Sequence, residues 1–199
     1  MGGISFGSGE RWCAAAAGSG IMRCVSMQDV VIRHAVNGDA DAMGRLHVRA
    51  WQRAYRGVMP DEYLDGLQPD ERIEMWRDRI SRTDLPPLLV AVVAGEVAGF
   101  AAFGAERSTT GSTGCGELYA MNLDPPHWGR GIGRALLRQA TAALGAQNYH
   151  EAVLWVIPEN TRAVTLYESE GWVADGAVST EEILGVVVTD VRYRTQLTP

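Results

Sequence analysis

Between Leu123 and Leu137 the chain reads LDPPHWGRGIGRALL. An apolar run ends at Leu123, two prolines stiffen the exit, and glycines follow at 129, 131 and 133. From Ile132 the period turns helical, with Ile132, Leu136, Ala140 and Ala143 on one face. The stretch therefore predicts a strand, a glycine-rich turn and the first turn of a helix. Proline has no N–H to give a sheet, so strand pairing stops at Asp124-Pro125-Pro126. Glycines let successive backbone N–H groups converge and leave room for a ligand's oxygens. The helix start behind them adds roughly half a positive charge, so the turn suits a phosphate or pyrophosphate.

The rest of the composition narrows the setting. A chain of 199 residues fits one domain that buries about 70% of its unfolded surface. Its net charge of −6 argues against a nucleic-acid or membrane-surface binder, because those carry clustered positive charge. Cys13, Cys24 and Cys115 are odd in number and lack CxxC spacing, which disfavours a disulfide framework or a structural metal site and favours a reducing, cytoplasmic setting. No apolar run approaches the ~20 residues of a membrane span. Residues 1–28 carry no pattern and are expected to be a disordered extension, with Met27 an alternative start; the folded domain is expected over 29–199.

Along that domain, VVIRHA from Val30 to Ala35 predicts a strand, and Asp39 or Asp41 caps a helix reaching Ala54. Met43, Leu46 and Ala50 form its core stripe, with His47, Trp51 and Tyr55 as a second stripe beside it. Pro69 opens a further helix whose buried face is Ile73, Trp76 and Ile80. Leu88–Ala94 and Val97–Phe103 flank a Gly95-Glu96 hairpin signal. Arg107–Gly114 reads as a loop, and Glu117–Leu123 as the strand entering the glycine turn. The helix after the turn ends near Gly145, AVLWVI at Ala152–Ile157 is a buried strand, Asn160 caps a helix through Glu170, and Val186–Tyr193 is a last strand. The order is β-α-α-β-β-β-α-β-α-β-β, an α/β arrangement with a mixed sheet and helices on both faces.

Three known glycine loops are candidates for Leu123–Leu137. A Walker-type loop needs Lys before Ser or Thr, and the chain has no lysine. A dinucleotide fingerprint needs a third Gly or Ala three residues after the second, where Arg134 or Leu136 stands. The third candidate fits. Leu123-Asp124-Pro125 and Gly131-Ile132-Gly133 resemble the V-x-P strand end and glycine pair of the pyrophosphate loop in the GNAT superfamily of N-acetyltransferases. Trp128 stands where that family often has Gln or Arg. Independently, Asn160-x-x-Ala163-x-x-x-Tyr167-x-x-x-Gly171-Trp172 resembles the family's later motif, with Trp for Phe.

The resemblance implies a GNAT fold, mostly antiparallel and splayed at the cofactor site, and an enzyme moving an acetyl group from acetyl-CoA to a primary amine without a metal. The acceptor would be a small molecule or a peptide N-terminus, and an edge-rich sheet is compatible with a homodimer. A non-catalytic acyl-CoA-binding module of the same fold is the alternative. By resemblance the cofactor is held by Leu123, Arg130, Gly131, Ile132, Gly133, Arg134 and Asn160, with the Leu123 N–H polarising the thioester. Tyr167 would protonate the departing thiolate, and Glu117 would be the general base, directly or through water, with His47, His127 and His150 as rivals by titration range. Trp51 and Tyr55 either widen the buried face of their helix or wall the acceptor pocket; the resemblance favours the pocket. Specificity is expected in Arg49–Leu67 and Ala174–Val186, where Glu181 and Glu182 could attract a cationic amine or stand as exposed loop charges.

Overall fold

A computed structural model describes residues 30–86, 88–107 and 114–197. The expected extension over 1–28, the start at Met27 and most of the loop after Arg107 fall outside the described residues. Seven strands make one open sheet: β1 (Val30–His34), β2 (Leu89–Val93), β3 (Glu96–Ala105), β4 (Cys115–Leu123), β5 (Glu151–Val156), β6 (Val173–Ile183) and β7 (Val186–Gln196). Their order is β1-β2-β3-β4-β5-β7-β6. Every pair is antiparallel except β4–β5. The expected mixed, mostly antiparallel sheet with helices on both faces is the one observed.

The helices are α1 (Ala40–Ala54), α2 (Asp61–Asp65), α3 (Pro69–Ser81), α4 (Ile132–Ala146) and α5 (Thr161–Ser169). Met43, Leu46 and Trp76 from α1 and α3 pack on Val90, Phe100 and Ala102 of one sheet face. Leu136, Leu137 and Ala140 of α4, with Tyr167 of α5, pack on Leu89, Phe103 and Leu154 of the other. A third cluster joins Val48, Met59, Leu64, Ile157 and Val188, with Trp51 and Tyr55 packed against it. Among the described residues no helix is long and apolar enough to cross a membrane.

Three local expectations are corrected. Asp39 precedes α1 but its side chain makes no cap bond to it; the carboxylate instead accepts from the Val36 N–H at 2.8 Å and from Arg33 at 2.7 and 2.8 Å. Helix α4 ends at Ala146, beside Gly145 as expected, but the left-handed residue behind it is Asn148, with φ 65°, and not the glycine. The β2–β3 turn is Ala94-Gly95, with φ 51° and 88°, one residue earlier than read.

The last two strands, 11 residues each, form a hairpin closed by Leu184-Gly185 at φ 48° and 79°. β6 is a sheet edge, and Val173, Val178, Leu184 and Val187 on this hairpin are exposed, as are Glu181 and Glu182.

The α1–α3 contact is tight for two reasons. At Gly44 an added Cβ would stand 2.4 Å from Ile73 Cγ1 and 2.5 Å from the Ile73 backbone nitrogen, so only glycine allows the helices to approach this closely. One turn on, the Trp76 Nε1–H donates to buried His47 Nδ1 at 3.1 Å. His47 Nε2 is buried without a hydrogen-bond partner among the described residues, and the ring sits among Trp51, Trp76 and Phe100. Burial, aided by the Arg72 charge, lowers the His47 pKa from 6.5 to about 4.

Gly44→Ala should therefore cost about 1–3 kcal/mol, the scale of overpacking, read from the midpoint of urea unfolding. His47 gives a pH signature whose sign is fixed by its lowered pKa. The unfolded chain takes up the proton first as pH falls below about 6.5, so stability declines from there to about 4 and this contribution then levels off. His47→Gln should flatten that slope in a pH series of thermal unfolding.

Candidate active site

The site begins where two neighbouring strands stop pairing. β4 meets β5 only from Cys115 to Leu118, whereas β5 continues beside β7 as far as Val156. On the other side of β4 the register slips between Ala102↔Ala120 and Phe103↔Leu118, leaving Tyr119 as the extra residue. A bulge bends its strand and strengthens the twist, and this one stands where β4 leaves β5. The gap opens into a cleft of about 570 Å³.

Backbone alternation decides what faces the gap. The Asp124 N–H donates to the Ala98 carbonyl of β3 at 2.9 Å. In an antiparallel ladder one residue turns both its N–H and its C=O to the same neighbour, and the next residue turns both the other way. The N–H and C=O of Leu123 therefore point away from β3 into the gap. The carbonyl accepts the Trp128 Nε1–H at 2.9 Å, and the N–H is left toward the cleft. Trp128 thus packs the turn against the strand end, with the Arg162 guanidinium 4.7 Å from its ring centre.

Gly129 and Gly131 hold φ of 73° and 77°, and Gly131 is the N-cap of α4. Gly133 is ordinary helix; a Cβ there would lie 3.4 Å from Leu166 and 3.6 Å from Leu123, in the lining of the cleft. Its bare backbone preserves space beside the helix start. The turn is anchored from outside by Arg49 of α1, which holds Asp124 in a bidentate pair at 3.0 and 2.6 Å.

The opposite wall is α5. Asn160 Oδ1 accepts the Ala163 N–H at 3.3 Å and so caps the helix. Two turns along, Tyr167 is 7% exposed, lines the cleft and makes no hydrogen bond to a described residue. Burial, and next the nearby Tyr55, push its hydroxyl well above the ordinary tyrosine range. Burial likewise raises Tyr55; a hydrogen bond with Asn160 opposes this and the Asp190 charge adds to it.

Of the residues named from the sequence, Leu123, Gly131, Gly133, Arg134, Asn160, Tyr55 and Tyr167 converge on the cleft. Arg134 does so with its guanidinium already held by Glu170 at 2.8 Å and Ser169 at 3.1 Å. Ile132 is 2% exposed in the core, so only its backbone is available to a ligand. The Arg130 side chain is outside the lining. Trp51 stands behind Tyr55, ring centres 5.3 Å apart, and supports the wall instead of forming it. Glu117 is also outside the lining: it is 3% exposed, and Arg107 occupies Oε1 at 2.6 Å and, through its N–H, Oε2 at 2.8 Å. His47 lies in the core and His150 away from the cleft.

The sequence reading missed Arg49, 75 positions from its partner Asp124, and Asn122, Arg162 and Thr165 in the lining. Arg162 lies inside the N-x-x-A motif and Thr165 two residues after it, so both were open to a helical projection; nothing local signals Arg49. Among the described residues no cluster of His, Cys, Asp or Glu could hold a metal.

Comparison with known proteins adds a lineage to this geometry. Residues 45–172 match the sequence profile described as the acetyltransferase (GNAT) family. A Bacillus subtilis protein described as uncharacterized N-acetyltransferase YuaI is 33% identical over 132 residues, covering 66% of this chain and 73% of its own. A mycothiol acetyltransferase of Streptomyces avermitilis is 30% identical over 170 residues; the match takes in 84% of this chain but only 46% of that enzyme. In fold, the chain is similar to the PaiA N-acetyltransferase of Thermoplasma acidophilum in complex with coenzyme A, with a TM-score of 0.65 and 20% identity over 84% of this chain and 98% of that one.

Proposed function

The chain belongs to the acetyltransferase (GNAT) family, and from that premise we propose that it moves an acetyl group from acetyl-CoA to a primary amine by direct attack. The observation that carries this reading is the Leu123 N–H, turned into the gap between β4 and β5 with the glycine turn at one end and the Tyr167 hydroxyl in the facing wall. A thioester laid in that gap meets one fixed donor for the oxygen that gains charge on attack. Donors fixed in advance, in a site that excludes water, are the largest single source of acyl-transfer catalysis.

The donor would sit with its pyrophosphate on the glycine turn. Backbone N–H groups of Gly131, Ile132 and Gly133 and the α4 dipole supply the attraction, and Arg134 adds charge at the edge. Asn160 caps α5 through its Oδ1 and donates to Tyr55 through its amide, and a second amide N–H remains for the pantetheine arm. Tyr167 donates its proton to the departing thiolate. A hydroxyl held neutral by burial is a better partner for a sulfur anion than an exposed one competing with water. Tyr55, backed by Trp51, borders the acceptor end. Glu117, the base implied by family resemblance, has both oxygens engaged by Arg107; we assign it the holding of Arg107 at the start of β4. A structure of a relative of the same fold in complex with coenzyme A supports the donor assignment, and the acceptor is assigned only as far as an amine.

Gly131→Glu would place a side chain at a φ of 77° and a like charge in the anion cradle. Acetyl-CoA binding measured by calorimetry should be lost while the circular dichroism spectrum is kept; retained binding would remove the turn from the cofactor site. Tyr167→Phe should lower kcat roughly 100-fold, the scale of general acid catalysis, with acetyl-CoA affinity nearly unchanged. Unaltered turnover in a CoA-release assay would take Tyr167 out of the mechanism.

A further inference from the structure

The exit of β4 carries two hydrogen-bond acceptors beside one donor. The Leu123 carbonyl points into the gap on the same side as the Leu123 N–H, and the carboxylate of Asp124 follows it in the chain. For an acyl transfer both acceptors have the wrong sign. The thioester oxygen gains negative charge on attack, and a lone pair or a carboxylate beside it raises the energy of that state.

The chain covers both acceptors itself. Arg49 of α1 takes the two oxygens of Asp124 at 3.0 and 2.6 Å, and that side chain is largely withdrawn from water. The indole N–H of Trp128 takes the Leu123 carbonyl at 2.9 Å. Position 128 reaches it by a local route. Pro125–His127 is a single 3-10 turn, with the His127 N–H on the Asp124 carbonyl at 2.8 Å and the Trp128 N–H on the Pro125 carbonyl at 3.2 Å. The turn folds Trp128 back onto the strand end.

The peptide plane between Leu123 and Asp124 is thereby pinned at both ends, its N–H on Ala98 of β3 at 2.9 Å and its carbonyl on the indole. The plane before it bears the Leu123 N–H. Its carbonyl belongs to Asn122, which stands opposite Phe100, and alternation turns that carbonyl toward β3. One of the two Leu123 groups is therefore spent, and the other is fixed in direction. The Arg162 guanidinium lies over the indole, 4.7 Å from the ring centre. A cation there polarises the ring and strengthens its N–H as a donor. Leu123, Trp128 and Arg162 all line the cleft.

We propose that Trp128 is a positioning residue for the transfer. By holding the Leu123 carbonyl it turns a mixed strand end into one that offers only a donor, so the Leu123 N–H alone meets the thioester oxygen. The inference rests on the acetyltransferase reading above and adds to it a residue that acts through Leu123. Without the indole N–H the carbonyl stays in the gap as a competing acceptor. It repels the developing oxyanion and draws ligand N–H groups out of line. The effect falls on the thioester carbonyl and on turnover, and spares the affinity that the phosphates gain on the glycine turn.

The test uses the full chain and acetyl-CoA labelled isotopically at the thioester carbonyl, first with no amine present. Infrared difference spectra give the stretch of that carbonyl, which falls as the donor to its oxygen strengthens. Calorimetry gives the affinity, and CoA release with n-butylamine or an alanyl tripeptide gives kcat. In the wild type the stretch should lie below its value in solution. Trp128→Phe removes the indole N–H and keeps an aromatic face toward Arg162. Its stretch should move back toward the solution value, and kcat should fall about 10-fold, less than for loss of a direct donor. Its acetyl-CoA dissociation constant should stay within about threefold of the wild type. Trp128→benzothienylalanine keeps the outline of the indole without the N–H; it should behave alike with an unchanged thermal midpoint, and it decides the matter if Trp128→Phe folds poorly. A wild-type stretch in the benzothienylalanine protein overturns the inference, whatever happens to kcat. So does a loss confined to affinity and thermal midpoint, which is the pattern of packing alone. A wild type that binds acetyl-CoA with an unshifted stretch overturns it together with the Leu123 donor. A wild type that fails to bind acetyl-CoA instead strikes down the acetyltransferase reading on which the inference stands.

Discussion

The parting of β4 from β5 is the constraint that the other features accommodate. Ending a ladder inside a sheet strands backbone groups, and a stranded buried donor or acceptor carries a penalty of about 1–3 kcal/mol. The chain meets half of this itself: the Leu123 carbonyl takes the indole N–H of Trp128. The other half, the Leu123 N–H, is left for whatever enters the cleft. A Gln or Arg at position 128 could reach toward a ligand, but could not fill the angle between strand and turn as an indole does. The residue that departs from the family pattern is the one that holds the gap's edge in place.

α1 connects the two sides of the molecule. Gly44 sets its distance from α3, Arg49 grips Asp124 at the exit of β4, and Tyr55 at its C-cap reaches α5 through Asn160. One helix therefore ties the glycine turn to the α5 wall of the cleft. The aromatic stripe His47, Trp51 and Tyr55 serves both uses that the sequence suggested. His47 and Trp51 are packing, and only the terminal Tyr55 reaches the cleft.

Local chemistry made much of this legible. The prolines, the glycine spacing and the N-x-x-A-x-x-x-Y pattern each act within a turn or two of themselves, and their positions hold in three dimensions. What escaped was set by long-range pairing. Glu117 reads as a general base until the chain returns Arg107 to it, and Arg49 and Asp124 are distant in sequence. The local details that differ, the use of the Asp39 side chain, the left-handed residue behind α4 and the β2–β3 turn, involve a choice between near-equal local options, settled by Arg33, by Asn148 and by the β2–β3 register.

The exposed hairpin has a consequence of a different kind. β6 offers an open row of backbone groups flanked by Val173, Val178 and Val187, which is the form of edge that invites another sheet. Glu181 and Glu182 near its tip mean that two such edges meeting in antiparallel fashion around them would crowd like charges. Like charge at the hairpin tip thus works against the pairing that the open edge would otherwise favour.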